Sequence, residues 1–496
     1  MRRLTILSIF AAAVMTASCT SFLERTSQNL IVPTSVQHYK EMLQGPNGYF
    51  RQAASSSMFA TLMTDDILFT DVSREAGVSK PAESSSLSRY RLAYQWADEI
   101  ENDEFTDRAF DYFYSQVLIA NTVLDKIEKL DDPDGQRDLL HGQALFHRAL
   151  AYFYLANLYG PAYNEASPEA PCVPLKLDPT PSTDTFARSS VAEVWGSIRE
   201  DLDAAIALLE KFDVKNVHEI NVNAALALAC RVALFMEDFD AAVEYGERVL
   251  KNNSALYDIT SKKYAADPEG GSPLSSTVIN FISYANPEIL WIFSQKASNY
   301  QGGLGVEQTL FYAPSKDLIS TYSLDLAEGE RDHRLDYFFI PPGWSSLMLI
   351  SSYYYCYSLL KYDSNDMQYS RCTAFRTGEV YLNMAEAYAR SGHQKEAVDL
   401  LNRLRAKRVS DYTPLESVPD LLPFIYRERR RELVGEDLHR WWDVRRTGQK
   451  EIVHPWKDGT RYVLKDHDKA FVLDYPLAER AVCPDNYNER PHRQAE

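Results

Sequence analysis

The chain has 496 residues, of which 45% are apolar, so it is long enough to bury a large core in one domain or several. Aspartate and glutamate number 70 against 52 lysines and arginines, which gives a formal net charge of -18. Because phosphate backbones and anionic lipids are bound by clustered cations, this acidity argues against nucleic acid as a partner and against electrostatic adsorption to a membrane.

The N-terminus has the pattern of a secretion signal. Two arginines precede an apolar run over residues 4–15, and two small residues lie directly before Cys19. The run is shorter than the roughly 20 residues that a membrane-spanning helix needs. The four residues that end at Cys19 resemble a lipobox, in which the chain is cut before a cysteine that receives lipid, although Thr16 stands where leucine is usual. We predict a signal peptide over residues 1–18 and a lipid anchor on Cys19; the alternative is an ordinary cleaved signal with an incidental cysteine.

Helical periodicity dominates the part of the chain that follows. It predicts one helix over residues 110–130 and a second over residues 137–160, where a Gly-Pro pair ends the pattern. A further helix is predicted to begin at Ser190 and to run to Leu209, with Glu193 placed to complete a capping box.

Two segments share the residue spacing of a tetratricopeptide helix pair, in which small residues let two antiparallel helices approach closely. They cover residues 223–252 and residues 381–404, with the matching positions at Leu226, Cys230, Ala233, Ala242, Gly246 and Val249, and at Tyr381, Ala385, Tyr388, Gly392, Ala397, Leu401 and Leu404. A long segment without this spacing separates them, so they do not form a tandem array in the sequence. We expect a mainly α-helical scaffold built from such pairs.

The separating segment, roughly residues 257–371, is punctuated by Gly and Pro pairs and predicts loops with short strands and helices. Residues 288–295 suit a short strand in which Trp291 is buried. Tyrosine is unusually frequent, with 31 copies, and it offers a flat apolar face together with a hydroxyl. Sugar rings have matching apolar faces and polar edges, and loops this long are usually functional. We therefore predict that this insertion carries the ligand-binding face.

Seven residues are our candidate ligand contacts: Trp96, Tyr300, Gln301, Trp344, Tyr353, Tyr354 and Tyr355. Trp96 lies in a polar segment before the first long helix, and the others lie in the insertion. For Trp96 the alternative is a tryptophan that packs a loop against a helix. For the others it is an aromatic core within the insertion itself.

No catalytic or metal-binding pattern is present in the sequence. Beyond Cys19 the cysteines are too dispersed for a zinc site or a disulfide framework, and we expect most of them to be buried as small apolar residues. Asp65 and Asp66 are adjacent, which rarely gives two carboxylates that flank a scissile bond, so we assign them a structural role. We expect no enzyme activity and no cofactor, and the sequence leaves a structural metal ion open.

A densely charged stretch precedes the C-terminus. Glu428, Glu432, Glu436 and Arg440 follow at four-residue spacing, so the pattern predicts that they share one helix face and pair with interleaved arginines, while a Trp-Trp pair supplies core area. We predict a structural clamp here rather than a ligand contact.

The same region resembles the closing motifs of the SusD/RagB family of nutrient-uptake lipoproteins. The matching residues are Arg376, Glu379, Tyr381, Leu382, Ala385, Glu386 and Ala387; Leu401, Asn402 and Arg405; Glu428, Arg429, Arg430, Glu432 and Leu433; and Glu436, Arg440, Trp441, Asp443 and Arg446. Asp437-Leu438 departs from the pattern, since a single glycine is common there. Residues 22–24, 286–290, 314–316 and 331–334 also resemble family segments, so the likeness spans nearly the whole mature chain.

The resemblance implies a surface-exposed outer-membrane lipoprotein with a tetratricopeptide-like fold. It implies a glycan ligand and a SusC-like TonB-dependent transporter as the partner, with no bond chemistry. The chain would divide into a signal peptide (1–18), an N-terminal part (19–255), the insertion (256–371) and a C-terminal part (372–496). A peptide-binding lipoprotein of the same transport system and a surface glycosidase remain as alternatives.

Overall fold

The computed structural model describes residues 33–69, 85–182, 185–260, 281–295, 312–340, 343–345, 352–354, 358–359, 361, 371–448, 451–456, 458–488 and 490. Helices dominate this part of the chain. They are α1 Val36–Gln44, α2 Ala53–Ser57, α3 Ser85–Tyr94, α4 Ala109–Ile127, α5 Arg137–Tyr159, α6 Val191–Leu209, α7 Val222–Phe235, α8 Phe239–Asn252, α9 Lys316–Thr321, α10 Arg334–Phe338, α11 Thr377–Arg390, α12 Gln394–Arg405, α13 Leu421–Glu432, α14 His439–Arg446 and α15 Leu477–Val482, with short 3-10 helices at Met58–Met63 and Lys469–Phe471. None of these helices has the length and apolarity of a membrane-spanning segment.

Helix α5 is the centre of the N-terminal layer. Nearly all of its residues from Leu139 onward are buried, and it packs between α4 and α6. Gly142 permits the close approach of α6, since a Cβ at that position would lie 2.9 Å from Leu209 Cγ. The predicted helices over 110–130 and 137–160 are therefore confirmed as α4 and α5.

The start of α6 confirms the predicted capping box. The Ser190 hydroxyl accepts a hydrogen bond from the Glu193 backbone N–H at 3.2 Å, and the Glu193 carboxylate accepts one from the Ser190 N–H at 2.8 Å. This exchange satisfies two backbone donors that the first turn of a helix leaves without partners.

The two repeat-like segments form the helix pairs α7–α8 and α11–α12, as predicted. Although a long insertion separates them in sequence, α8 packs directly against α11, so the two pairs are neighbours in space. Gly246 lies at this contact, because a Cβ there would overlap the Met384 side chain. The pairs thus form one continuous scaffold, consistent with the predicted mainly α-helical, tetratricopeptide-like fold.

Two-stranded antiparallel ladders hold the insertion to this scaffold. The strands are β1 Ile67–Phe69, β2 Ile289–Gln295, β3 Tyr312–Pro314, β4 Arg331–Asp332, β5 Phe339–Ile340, β6 Gly343–Ser345, β7 Ser352–Tyr354, β8 Ser358–Leu359, β9 Arg371–Arg376, β10 Val409–Ser410, β11 Ile452–Pro455 and β12 Arg461–Leu464. β2 pairs with β9, which places residues 289–295 of the insertion against the strand at its C-terminal end. β3 pairs with β1 of the N-terminal part, and β4 pairs with β10 of the C-terminal part. β5–β8, β6–β7 and β11–β12 complete the pairs.

β2 confirms the predicted strand, and Trp291 within it is fully buried as predicted. Its ring stacks on Phe293 at 4.2 Å between centroids, and Phe375 of β9 lies 6.0 Å away in a nearly parallel plane. Aromatic packing therefore closes the β2–β9 ladder onto the helical core.

Candidate ligand-binding site

A buried cluster of charged side chains lies where the insertion meets the C-terminal part of the chain. Five cationic and five carboxylate side chains meet there, each with at most 2% of its side chain exposed, and we call this cluster the charge clamp: Arg334, Lys361, Arg376, Arg405 and Arg408 with Glu288, Asp332, Glu428, Glu432 and Glu436. Every carboxylate of the clamp has a cationic partner within it, and Arg431, also fully buried, adds a further ion pair with Glu428. Residues of the insertion and of the C-terminal part both contribute to it.

Arg376, at the end of β9, is the centre of the clamp. Its guanidinium donates to the carboxylates of Glu432 and Glu436 at 2.8 Å and of Glu288 at 3.0 Å, and to the backbone oxygen of Glu432 at 2.9 Å. A planar guanidinium with its five N–H donors suits such simultaneous contacts. One side chain therefore ties β9 and the segment before β2 to the end of α13.

The insertion reaches the same helix through Arg334. Its guanidinium donates to Glu428 at 2.6 Å, to Asp332 at 2.6 Å and to Glu432 at 3.2 Å. Burial alone would raise the pKa of Glu428, but Arg334 and the neighbouring arginines outweigh it and hold this pKa well below the ordinary value. Glu428 is thus ionised although it is buried, which fits a structural role.

Lys361 anchors the far end of the insertion. Its ammonium donates to the backbone oxygen of Glu432 at 2.6 Å, forms an ion pair with Glu436 and lies 4.1 Å from the ring centroid of Phe338. Burial lowers the pKa of Lys361 to about 8, against the opposing effect of Glu436. Its own backbone oxygen accepts from Ile282, so this contact also fixes the turn that precedes β2.

The predicted clamp is confirmed as a buried structure, but its predicted geometry was wrong in one respect. Glu436 and Arg440 do not continue the face of α13, because this helix ends at Glu432 and Gly435 adopts a positive φ of 67°. The chain turns there, so Glu436 returns to Arg376, while Arg440 begins a new contact from α14.

Arg440 pairs instead with Asp65, to which its guanidinium donates two hydrogen bonds of 2.7 Å. Asp66 accepts from Arg430 at 2.7 Å. Both aspartates thus join the N-terminal part to α13 and α14, as their predicted structural role requires.

Trp96 packs inside the protein and does not lie at a position where it could contact a ligand. Its side chain is fully buried, and the indole N–H donates to the Met63 backbone oxygen at 2.9 Å. The imidazole of His454 stacks on the indole with 4.0 Å between ring centroids, and Tyr94 covers the other face of that imidazole at 4.1 Å. A ring with no exposed surface offers nothing to a sugar, so the structure supports the alternative given for Trp96.

His454 gives this packing a pH dependence. Burial lowers the pKa of His454 to about 4, although the backbone oxygens of Tyr94 and Thr64 raise it. An unfolded chain takes up this proton near the ordinary value of 6.5, so the unfolded state binds more protons between these values. We predict that the free energy of unfolding falls as the pH drops from 6.5 to 4, with about 3 kcal/mol due to His454 alone.

Urea unfolding across this pH range, for the wild type and for His454→Gln, measures that contribution. The variant should lose part of the pH slope and keep the part due to His147, whose pKa burial lowers to about 3. Equal slopes in the two proteins would contradict the assignment.

Three of the remaining candidates lie in one hairpin. β6 and β7 pair in antiparallel register, which places the Cα of Trp344 opposite that of Tyr353 and makes Tyr354 the partner of Gly343. Tyr300, Gln301 and Tyr355 lie outside the described residues, as does Cys19. The structure therefore brings Trp344 and Tyr353 together, and the contacts of all these residues with a ligand stay predictions.

The sequence alone does not predict that the charge clamp joins segments that lie far apart in the chain. Glu288 and Arg334 lie in separate family-like segments, and nothing in their local spacing shows that both reach α13. Charged residues inside apolar stretches, such as Glu288 directly before β2, are the signal that points to buried pairing. Lys361, which stands between Leu360 and Tyr362 at the end of an apolar and aromatic run, carries the same signal. Of the cysteines, Cys172, Cys230 and Cys483 are buried free thiols, as expected.

Among the described residues, no group of three or more His, Cys, Asp or Glu side chains is arranged to hold a metal ion. The buried carboxylates of the charge clamp are instead neutralised by arginine and lysine.

Comparison with known proteins identifies the family of the chain. Residues 22–234 match the family model described as starch-binding associating with outer membrane, and residues 350–481 match the model of the SusD family. These two segments together cover more than half of the chain.

Individual relatives agree with this match. A SusD-like protein of Formosa agariphila is 24% identical over 389 residues, which cover 70% of this chain and 73% of the relative. A SusD-like carbohydrate binding protein from Bacteroides vulgatus superposes with a TM-score of 0.68 at 20% identity, covering 92% of this chain and 98% of that one. Surface glycan-binding protein A from Bacteroides uniformis superposes with a TM-score of 0.65 at 17% identity, covering 91% and 99%. The chain therefore belongs to the SusD/RagB family.

Proposed function

We propose that this protein is an outer-membrane lipoprotein that captures a glycan at the cell surface and delivers it to a SusC-like TonB-dependent transporter. The observation that carries the proposal is the match of both ends of the chain to SusD family models, one of them described as starch-binding. Solved relatives with the same fold are named for carbohydrate or glycan binding. The lipid on Cys19 would hold the protein at the membrane, since two acyl chains anchor stably where one is marginal.

Capture in this proposal involves no bond chemistry. The charge clamp holds the base of the insertion rigidly, and aromatic side chains that it supports would stack on the apolar faces of sugar rings. Asn, Gln, Arg and Asp side chains would bond to the hydroxyl groups. Because such a site is shallow and wet, we expect modest affinity that permits release to the transporter.

A binding screen with the pure soluble chain, residues 20–496, tests glycan capture. Affinity-gel electrophoresis against soluble starch, laminarin, xylan and carrageenan should show retardation by at least one polysaccharide, while a random peptide library should not bind. Peptide binding without polysaccharide binding would favour the peptide-binding alternative. Release of reducing sugar from the retained polysaccharide by the pure protein would favour the glycosidase.

Delivery has its own test. Solubilised outer membranes from cells that carry a tagged copy of the protein should yield a TonB-dependent transporter together with it. Purification of the tagged chain without any such transporter would contradict the partner assignment and leave glycan capture standing.

Trp344→Ala and Tyr353→Ala test the hairpin as a ligand contact. Loss of one stacking ring should weaken binding of the retained polysaccharide about threefold to tenfold, from a typical aromatic contact of about 0.5 to 1.5 kcal/mol. Tyr487→Ala is the control, since Tyr487 is an exposed tyrosine outside the insertion, 54% accessible. Unchanged affinity in both hairpin variants would remove the hairpin from the site.

A further inference from the structure

Tyr284 is a strongly exposed aromatic residue of the insertion. Its side chain is 66% accessible, and it lies at the tip of the turn that precedes β2. An accessible phenol ring is a contact surface only if the backbone that carries it is fixed and polar groups lie beside it.

The base of the turn is fixed by buried contacts. Phe281 and Asn286, on either side of Tyr284, are buried, and the Asn286 amide donates to the Phe281 backbone oxygen at 2.7 Å. The Phe281 ring lies 5.1 Å from the guanidinium carbons of both Arg376 and Arg408, so it packs against the charge clamp. Ile282 donates from its backbone to Lys361 at 2.9 Å. The Tyr284 side chain is therefore exposed, while Phe281 and Asn286 on either side of it are buried in the core.

A second loop places polar groups next to this tip. The imidazole of His218 lies 6.0 Å from the Tyr284 ring, measured between centroids, at an interplanar angle of 48°. The loop is held in place because Val217 accepts a backbone hydrogen bond from Ile292 of β2 at 2.8 Å. Asn216 and Lys215, directly before it, are exposed. An exposed aromatic ring and an imidazole thus lie side by side on two segments that are both tied to β2.

This combination suits a sugar ring. A pyranose has one face of C–H groups, which packs on an aromatic ring, and an edge of hydroxyl groups, which bond to imidazole and amide side chains. A peptide strand binds through a free sheet edge or an apolar groove, and an exposed ring beside an imidazole is neither of these. The acidic charge of the chain overall makes a polyanion a poor occupant.

We propose that Tyr284 and His218 form a carbohydrate-contacting platform at the junction of the insertion with the loop over residues 211–221. This inference rests on the proposed function and adds residues that the sequence did not single out. The platform would hold one ring of a longer glycan, with Tyr284 stacking on it and His218 bonding to its hydroxyl groups.

Titration of the soluble chain with the polysaccharide that retards it most in the screen tests the platform. Tyr284→Ala should weaken binding about threefold to tenfold, while Tyr284→Phe should keep at least half of the affinity because stacking needs the ring and not the hydroxyl. His218→Ala should weaken binding about twofold to fivefold, in line with the loss of one ordinary hydrogen bond. Because Tyr284 is exposed, its variants should melt within a degree or two of the wild type.

Two results separate this inference from the proposed function. Wild-type affinity in Tyr284→Ala, with binding by the unmodified protein intact, would overturn the platform alone. The same loss in the control Tyr487→Ala would also overturn it, since the effect would then not be specific to the insertion. Absence of binding by the unmodified protein to every polysaccharide would overturn the proposed function and the platform with it.

Discussion

Replacing Arg376 by Met should lower the free energy of unfolding by about 3 to 5 kcal/mol, the usual loss when one partner of a buried ion pair is removed. Arg376 donates to Glu288, Glu432 and Glu436, and all three carboxylates are buried. Without the guanidinium, these three buried carboxylates lose their shared counterion. They must then bind protons or become hydrated. Urea unfolding of the soluble chain, followed by tryptophan fluorescence, measures the change.

Arg390→Met is the matched control for this prediction. Arg390 forms an ion pair with Glu237, but its side chain is 29% exposed and that of Glu237 is 40% exposed. Exposed pairs contribute about 0 to 1 kcal/mol, so the control should unfold almost as the wild type does. If Arg376→Met and Arg390→Met cost the same, the charge clamp does not stabilise the attachment of the insertion.

Replacing Cys19 by Ala should release the protein from the membrane almost completely. Cys19 is the only residue at which the signal pattern places lipid. Because the chain is acidic, electrostatic attraction to anionic lipid would not hold the protein at the membrane once the lipid anchor is lost. Fractionation of cells into membrane and soluble material, followed by immunoblotting, measures the distribution. The wild type should remain with the outer membrane, and the variant should move to the soluble fraction.

A control variant and a direct measurement of the lipid complete the test of the Cys19 anchor. Cys483→Ala should leave the distribution unchanged, because that cysteine is buried near the C-terminus and far from the signal in sequence. Mass spectrometry of the wild-type protein should find acyl chains on the N-terminal cysteine of the mature chain. An unmodified terminus together with membrane-bound Cys19→Ala would show that something other than lipid holds the protein.

Much of the scaffold could be predicted from the sequence because its signals are local. The capping box of Ser190 and Glu193 acts across one turn, and the spacing of small residues around Gly246 reports how closely two helices pack. The strand β2 was predictable from its aromatic and β-branched residues for the same reason. The predicted pairs even proved to be neighbours, which their separation along the chain does not reveal.

Contacts between distant segments could not be predicted in this way. A tryptophan in a polar segment is expected to be accessible to a ligand. Trp96 is instead covered by the imidazole of His454 from β11. No local sequence pattern predicts this contact, because the two residues are far apart in the chain. Four-residue spacing suggests one helix face only while the helix continues. Helix α13 ends at Glu432 and the chain turns at Gly435, which has a positive φ, so Glu436 and Arg440 reach different partners.

Binding of fluorescent polysaccharide to intact cells tests the central claim most directly. The polysaccharide that the pure protein retains is labelled, and flow cytometry compares cells that carry the wild-type chain with cells that lack it. Bright labelling that depends on the wild-type chain, and that falls in Cys19→Ala, is the result we predict. Equal labelling with and without the chain, at matched expression of the transporter, would contradict a role in capturing glycan at the cell surface.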